Sequence, residues 1–214
     1  GIPGDGIDTM NALLSEKFDY IFFTGSTRVG AIVAQRAAAK LTPYTLELGG
    51  KNPVFVTPTA DLSLAAKQCV WARNLNCGQQ CIAPEYVLCH RSVLEEFTNQ
   101  LRRWTRELIP NPFADGAMGR LVGGNKPQGG AGGGAAGGGG RDAMGRAAAL
   151  LGKIGTRGET LVCGGGFNAA QRAVEPTTVI CGWDSELMLE EMFCPILCVI
   201  PYDDLREAAA QVRA

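Results

Sequence analysis

The chain has 214 residues, of which 46% are apolar, and its 20 Lys plus Arg nearly balance 21 Asp plus Glu. That is enough apolar material for one large domain or two small ones, and a formal net charge of -1 provides no general field for nucleic acid or an anionic membrane surface. The longest apolar runs, such as 194–202, are too short to span a bilayer, and the first residues lack the basic and apolar regions of a signal peptide.

Elements follow from local pattern in chain order. Residues 18–24 (FDYIFFT) form a β-branched and aromatic run that reads as a buried strand, followed at once by Gly25-Ser26-Thr27 and an alanine-rich helix over 28–41. Short strands are expected at 45–48 and 53–56, separated by Gly49-Gly50-Lys51. Asp61 can cap a helix running to about Asn74. After a loop containing Cys77 and Cys81, residues 86–89 read as a strand, and Ser92 with Glu95 has capping-box spacing before a helix to about Leu108. Residues 123–140 are nearly all Gly and Ala, which predicts a flexible surface loop. Strands at 161–163, 177–180 and 196–200 and a last helix from Asp203 complete an α/β pattern with a largely parallel sheet.

The eight cysteines lie mostly inside apolar segments, as free buried thiols do, so a reducing compartment such as the cytoplasm is expected. A buried structural role suits Cys69, Cys89, Cys163, Cys181 and Cys198. No pair has CxxC spacing and His90 is the single imidazole, so no metal site is expected. His90 is also a poor partner for a cysteine-protease thiol, because it falls near the far end of the strand that follows Cys81.

Four segments can carry chemistry. The first, Thr24-Gly25-Ser26-Thr27-Arg28-Val29-Gly30, is a strand-to-helix turn whose free amides favour an anion, with Gly25 permitting close approach and Gly30 close packing; the same turn equally serves to close the chain. The second places Glu47 between Leu46 and Leu48, ahead of Gly49-Gly50-Lys51-Asn52. An apolar setting raises a carboxyl pKa toward a range useful for a general base, whereas an edge-strand Glu would simply face solvent. The third, Asn76-Cys77-Gly78-Gln79-Gln80-Cys81, puts two thiols in a polar loop between helix and strand, where one can meet a substrate. In the fourth, Glu190-Glu191-Met192-Phe193-Cys194-Pro195, a carboxylate suits ribose hydroxyls and the ring suits a planar cofactor, or the pair of acids is merely solvated.

In this order the four segments closely resemble the aldehyde dehydrogenase family, whose signatures are Gly-Ser-Thr-x-x-Gly, Glu-Leu-Gly-Gly-Lys, Gly-Gln-x-Cys and Glu-Glu-x-Phe-Gly-Pro. The phrasing from Asn76 to Tyr86 and from Leu41 to Lys51 looks most like the class 3, fatty-aldehyde type branch. The resemblance implies the end of a dinucleotide-binding domain over 1–48, then an α/β catalytic domain over 49–214 that is incomplete at its C-terminus and carries a glycine-rich insertion at 123–140. It implies NAD or NADP as cofactor, an aldehyde as substrate and a homo-oligomer for the full-length protein. Cys81 would be the nucleophile and Glu47 the base that activates water. Thr24, Gly25, Ser26, Gly30 and Leu48 would line the cofactor, Glu191 would bind a ribose and Phe193 would pack near the nicotinamide. The Cys81 amide would be one oxyanion donor, with the family's second, an asparagine side chain, upstream of Gly1.

The sequence also departs from the family. Members are more than twice this length, so impaired activity is expected of this stretch alone, and a membrane-anchoring tail, as in some class 3 relatives, would lie beyond Ala214. Cys194 stands where the family has Gly, which would be strained if that backbone needs positive φ. Three other readings are an acylating relative, which generally lacks the base that Glu47 supplies, a non-catalytic binding or assembly module, and a redox sensor using Cys77 with Cys81.

Overall fold

A computed structural model describes residues 6–122 and 143–213, so the glycine-rich stretch expected to be a flexible loop lies outside the described residues. The chain divides into two compact units, one ending at Gly49 and the other beginning at Gly50.

The first unit contains α1 (Gly6–Ser15), β1 (Ile21–Gly25), α2 (Thr27–Ala38) and β2 (Tyr44–Leu48), with β1 and β2 parallel and paired from Ile21↔Tyr44 to Gly25↔Leu48. α2 begins where Ser26 Oγ accepts from the Val29 amide, satisfying one free donor of the first turn. It buries Gly30, Val33 and Ala37, a stripe at helical spacing. A Cβ at Gly30 would stand 2.7 Å from Leu48 Cδ2, so glycine here sets how closely the helix can lie on the strands. The expected buried strand at 18–24 is shorter and wetter than its composition suggests: β1 starts at Ile21, Phe22 is 67% exposed and Tyr20 is 54% exposed. Among the described residues β1 pairs with β2 alone, so this β-prone run is not covered on both sides. Between α1 and β1 lies an apolar groove of about 420 Å³, lined by Met10, Leu13, Phe18 and Phe22 among others.

The second unit contains β3 (Asn52–Val56), α3 (Leu62–Asn74), β4 (Pro84–His90), α4 (Leu94–Leu108), α5 (Ala143–Leu151), β5 (Thr160–Cys163), the short hairpin β6 (Phe167–Asn168) and β7 (Ala173–Val174), β8 (Thr177–Ile180), β9 (Ile196–Tyr202) and α6 (Leu205–Arg213). Its sheet has the order β3-β4-β9-β8-β5, parallel except for β5 against β8. The central strands are buried on both faces, which is why β4 and β9 read as continuous apolar runs. Alternation sends Val87, Cys89, Leu197 and Val199 into one core with Val70, Phe97 and Leu101 of α3 and α4. Leu88, Ile196, Cys198 and Ile200 enter the other, with Ala147 of α5 and Leu187.

Asp61 caps α3 as expected, accepting from the Leu64 amide at 3.0 Å. The expected Ser92–Glu95 capping box does not form. His90 Nδ1 accepts from the Ser92 amide at 3.2 Å instead, residues 91–93 make a 3₁₀ turn, and α4 begins at Leu94 without a side-chain cap. The final helix starts at Leu205 rather than Asp203, because Asp204 Oδ1 accepts from the Arg206 and Glu207 amides at 2.8 and 2.9 Å.

Lys40 closes α1 from a distance in sequence, its Nζ donating to the carbonyls of Leu14 at 3.0 Å and Glu16 at 2.7 Å and also to that of Ser15. These belong to the last turn and its exit, where carbonyls lack partners within the helix. Replacing Lys40 with Met should cost about 1–2 kcal/mol of local stability. Faster amide exchange over residues 11–15, with exchange in β9 unchanged, is the expected readout.

Candidate active site

The thiol loop begins where α3 ends. Asn76, Cys77 and Gly78 follow one another with φ of 52°, 58° and 72°, a left-handed run that L-residues adopt only at a cost of roughly 1–2 kcal/mol each. Gly78 is required twice over. Its φ is left-handed, and a Cβ there would lie 2.6 Å from the carbonyl carbon and oxygen of Cys194. The buried amide of Gln79 holds the loop: Nε2 donates to the carbonyls of Asn76 (3.0 Å) and Arg120 (3.1 Å), while Oε1 accepts from the Val122 amide (2.7 Å).

The cysteines sort sharply by exposure. Cys69, Cys77, Cys89, Cys181, Cys194 and Cys198 are buried, Cys163 is intermediate rather than buried as expected, and Cys81 alone is exposed. Burial pushes the Cys77 thiol up to about 11, against weaker pulls from Arg120 and Arg73, so it stays protonated at neutral pH. That is a poor start for a redox pair with Cys81.

Behind Cys81 the loop is pinned to β3. Asn52 Nδ2 donates to the carbonyls of Cys81 at 2.7 Å and Ala83 at 3.0 Å, and the Ala83 amide donates to Gln80 O at 3.1 Å. The preceding residue, Lys51, takes other partners, its Nζ reaching Glu85 Oε2 (2.9 Å) and the carbonyls of Leu187 (3.0 Å) and Glu190 (2.8 Å). Glu85 is 2% exposed and Arg73 1%, and they pair at 3.1 Å. The same carboxylate accepts from the amides of Met192 (2.9 Å) and Phe193 (3.1 Å). Burial alone would push the Glu85 carboxyl up, but the Arg73 and Lys51 charges and the Met192 amide outweigh it and hold it below the ordinary range.

This network fixes the segment that carries Glu191 and Phe193. Glu191 is half-buried, and burial pushes its carboxyl up although the Gly50 amide donates to it. Phe193, not Cys194, is the left-handed residue, with φ 50°. The strain considered for Cys194 in the family's glycine position therefore does not arise. Cys194 is 2% exposed and its carbonyl accepts from Arg73. Asn52, Gln79, Arg73 and Glu85 were not anticipated from the sequence. The available signal was a lone Glu at the start of an apolar strand and an Arg in the last turn of a helix, charges that demand a counter-charge once buried.

In the first unit the structure brings together Thr24, Gly25, Ser26, Gly30, Glu47 and Leu48. Thr24 pairs with Glu47 and Gly25 with Leu48 across the two strands. Leu46 and Leu48 point at Gly30, so Glu47 takes the opposite face. It is exposed there, and the apolar setting expected from its two leucine neighbours is absent because alternation sends them to the other side.

The aldehyde dehydrogenase family model matches residues 1–127 and 141–213. The chain belongs to the aldehyde dehydrogenase family. It is 33% identical to the dimeric NADP-preferring aldehyde dehydrogenase of Canis lupus familiaris, over 95% of this chain and 40% of that protein. It is 36% identical to aldehyde dehydrogenase family 3 member B3 of Mus musculus, over 95% of this chain and 38% of that one, in keeping with the class 3 resemblance. Among solved structures, AldH of Staphylococcus aureus in a substrate-bound state matches with a TM-score of 0.84 at 34% identity, over 97% of this chain and 42% of that one. This aldehyde dehydrogenase chain thus spans about two fifths of the length of the relatives it matches. Among its described residues no helix is long and apolar enough to cross a membrane, and no cluster of side chains could hold a metal ion.

Three outcomes follow from the loop and the network. Gly78→Ala should cost about 3 kcal/mol or more, read as a lower denaturant midpoint, since both backbone strain and a clash with Cys194 are introduced. Glu85, with its folded pKa lowered, contributes stability that is complete above its unfolded value and is lost as pH falls through the folded one. The unsubstituted protein should therefore lose thermal stability on acidification below about pH 4.5. Glu85→Gln should be less stable by about 3–5 kcal/mol at pH 7, because Arg73 is left buried without its counter-charge, and should show a flatter acid limb.

Proposed function

We propose that the protein oxidises an aldehyde to a carboxylic acid with NAD or NADP, with Cys81 as nucleophile and Glu47 as general base. The observation that carries this reading is that Cys81 alone among eight cysteines is exposed, at the tip of a loop fixed by Gln79 on one side and Asn52 on the other. On this reading the first unit is the end of a cofactor-binding domain and the second is the catalytic domain. The canine relative's description as dimeric supports a homo-oligomer. Eight unpaired cysteines support a reducing compartment.

The residues present fit a dinucleotide. β1 ends at Gly25 and α2 opens at once with Ser26 as cap, and among the described residues the Thr27 and Arg28 amides have no acceptor, which suits a diphosphate oxygen. Thr24, Gly25, Ser26, Gly30 and Leu48 are assigned to that end of the cofactor, Glu191 to a ribose and Phe193 to the nicotinamide. When bound, the oxidised cofactor supplies the acceptor for the hydride that leaves the substrate carbon. The Cys81 thiolate forms the C–S bond, and the carbonyl electron pair moves onto oxygen, where the Cys81 N–H donates to it. After loss of hydride the acyl group stays on Cys81 as a thioester. Glu47 takes a proton from water as the water oxygen adds to the thioester carbon, and collapse of that adduct expels the Cys81 thiolate and frees the carboxylic acid. Trp71, Leu75 and Ile82, exposed on the segments that lead into and out of Cys81, suit a substrate with an apolar chain.

The test is to follow cofactor reduction with an aldehyde and NAD or NADP. Cys81→Ala should abolish the rate, Cys77→Ala should keep it within about threefold, and Glu47→Gln should slow it by about 10²-fold or more while letting the acyl-enzyme accumulate. Turnover that survives Cys81→Ala would sink the proposal.

A further inference from the structure

We infer that Asn52 is a positioning residue for acyl transfer at Cys81: by holding the Cys81 and Ala83 carbonyls it turns the loop's amides toward the oxygen of a carbonyl attacked by the thiol. The inference rests on the assignment of Cys81 as nucleophile.

The geometry leaves little freedom. Asn52 Nδ2 has two hydrogens and two acceptors, Cys81 O at 2.7 Å and Ala83 O at 3.0 Å. Carbonyl oxygens cannot donate, so only the amide nitrogen of Asn52 can face them, which settles the orientation of the side chain. The Ala83 amide in turn donates to Gln80 O at 3.1 Å, closing a turn over Gln80–Ala83. Peptide units are planar and trans, so each engaged carbonyl dictates where the next amide points. Gln80 O faces into the turn, which sends the Cys81 N–H outward. Cys81 O faces Asn52, which sends the Ile82 N–H away from β3. Neither N–H has an acceptor among the described residues. Cys81 and Ile82 are both exposed, so these amides lie where an incoming substrate can meet them.

Asn52 is the first residue of β3, which pairs with β4 immediately beyond the loop, so the clamp is anchored in the sheet. Its neighbour Lys51 is tied to Glu85 and to two carbonyls of the 187–190 segment, which fixes the backbone from which Asn52 reaches. A donor held in advance matters only for reactions that build charge on a carbonyl oxygen. Alkylation of the same sulfur builds none.

That difference supplies the test. With p-nitrophenyl acetate, the Cys81 thiolate attacks the ester carbon, the carbonyl pair moves to oxygen, and collapse expels p-nitrophenolate and leaves an acetyl thioester. With iodoacetamide, the thiolate displaces iodide from a saturated carbon. Acetylation is measured as the release of p-nitrophenolate that Cys81→Ala removes, and alkylation at Cys81 by peptide mass spectrometry, on the unsubstituted protein, on Asn52→Leu and on Asn52→Ser, with alkylation of buried Cys69 and Cys89 reporting any unfolding. Asn52→Leu is expected to lower acetylation about tenfold and to change alkylation less than twofold. Asn52→Ser, too short to hold both carbonyls, should lower acetylation severalfold with the same selectivity. If Asn52→Leu exposes Cys69 and Cys89, the Ser variant decides. Equal loss of both rates, or no change in their ratio, overturns the inference while leaving Cys81 as the nucleophile. Failure of the unsubstituted protein to acetylate at Cys81 overturns the nucleophile assignment and the inference together.

Discussion

One buried carboxylate organises the second unit. Glu85 lies at the start of β4 among apolar neighbours, and its oxygens meet Arg73 at the end of α3, Lys51 just before β3, and the amides of Met192 and Phe193. A lone carboxylate would not remain ionised at 2% exposure. Two cations and two amides make ionisation the favoured state, and they come from three separate parts of the chain. The network is therefore a junction. It ties the exit of α3, the entry of β3, and the segment before β9 to the strand that follows the thiol loop.

Strain on the loop becomes intelligible beside that junction. A left-handed run at Asn76–Gly78 is costly alone, and persists because the ends of the loop are fixed: Arg73, three residues before Asn76, by Glu85 and the carbonyls of Pro84 and Cys194, and Cys81 and Ala83 by Asn52. Gly78 then packs its bare Cα on the Cys194 backbone, where the same Arg73 holds the carbonyl. The outcome is a division between neighbouring cysteines. Cys77 points into the core, and Cys81, beyond the strained turn, is delivered to the surface.

How much of this was legible in the sequence depended on whether a feature is local. The α/β alternation, the Asp61 cap and the apolar runs of β4 and β9 were legible because periodicity and first-turn chemistry act over a few residues. The Ser92–Glu95 capping box failed because His90 competes for the Ser92 amide, a partner that spacing rules do not consider. β1 reads as buried from its composition, yet burial depends on which neighbours cover it, and Phe22 is mostly exposed. The leucines beside Glu47 misled for a related reason: on a strand, adjacent residues face opposite sides, so apolar neighbours say nothing of what surrounds the carboxylate. The family resemblance came from the order of four motifs, each weak alone. It singled out Cys81, Glu47 and Glu191 as candidates but not the scaffold around them, since Asn52, Arg73 and Glu85 act through contacts distant in sequence.

The dipeptide Lys51-Asn52 shows what that scaffold does. Two adjacent side chains at the entry of β3 grip two different backbone segments. Lys51 takes carbonyls of the segment leading to Glu191 and Phe193, and Asn52 takes carbonyls of the loop holding Cys81. Both grips use a donor against backbone oxygen, so they constrain backbone position directly and do not depend on which side chains the two segments carry. This explains how Cys194 can replace the family's glycine without disturbing the arrangement. The segment is held by its carbonyls and amides, the left-handed conformation falls on Phe193, and the thiol of Cys194 simply fills buried space. Side chains at the surface of the loop take no part in either grip.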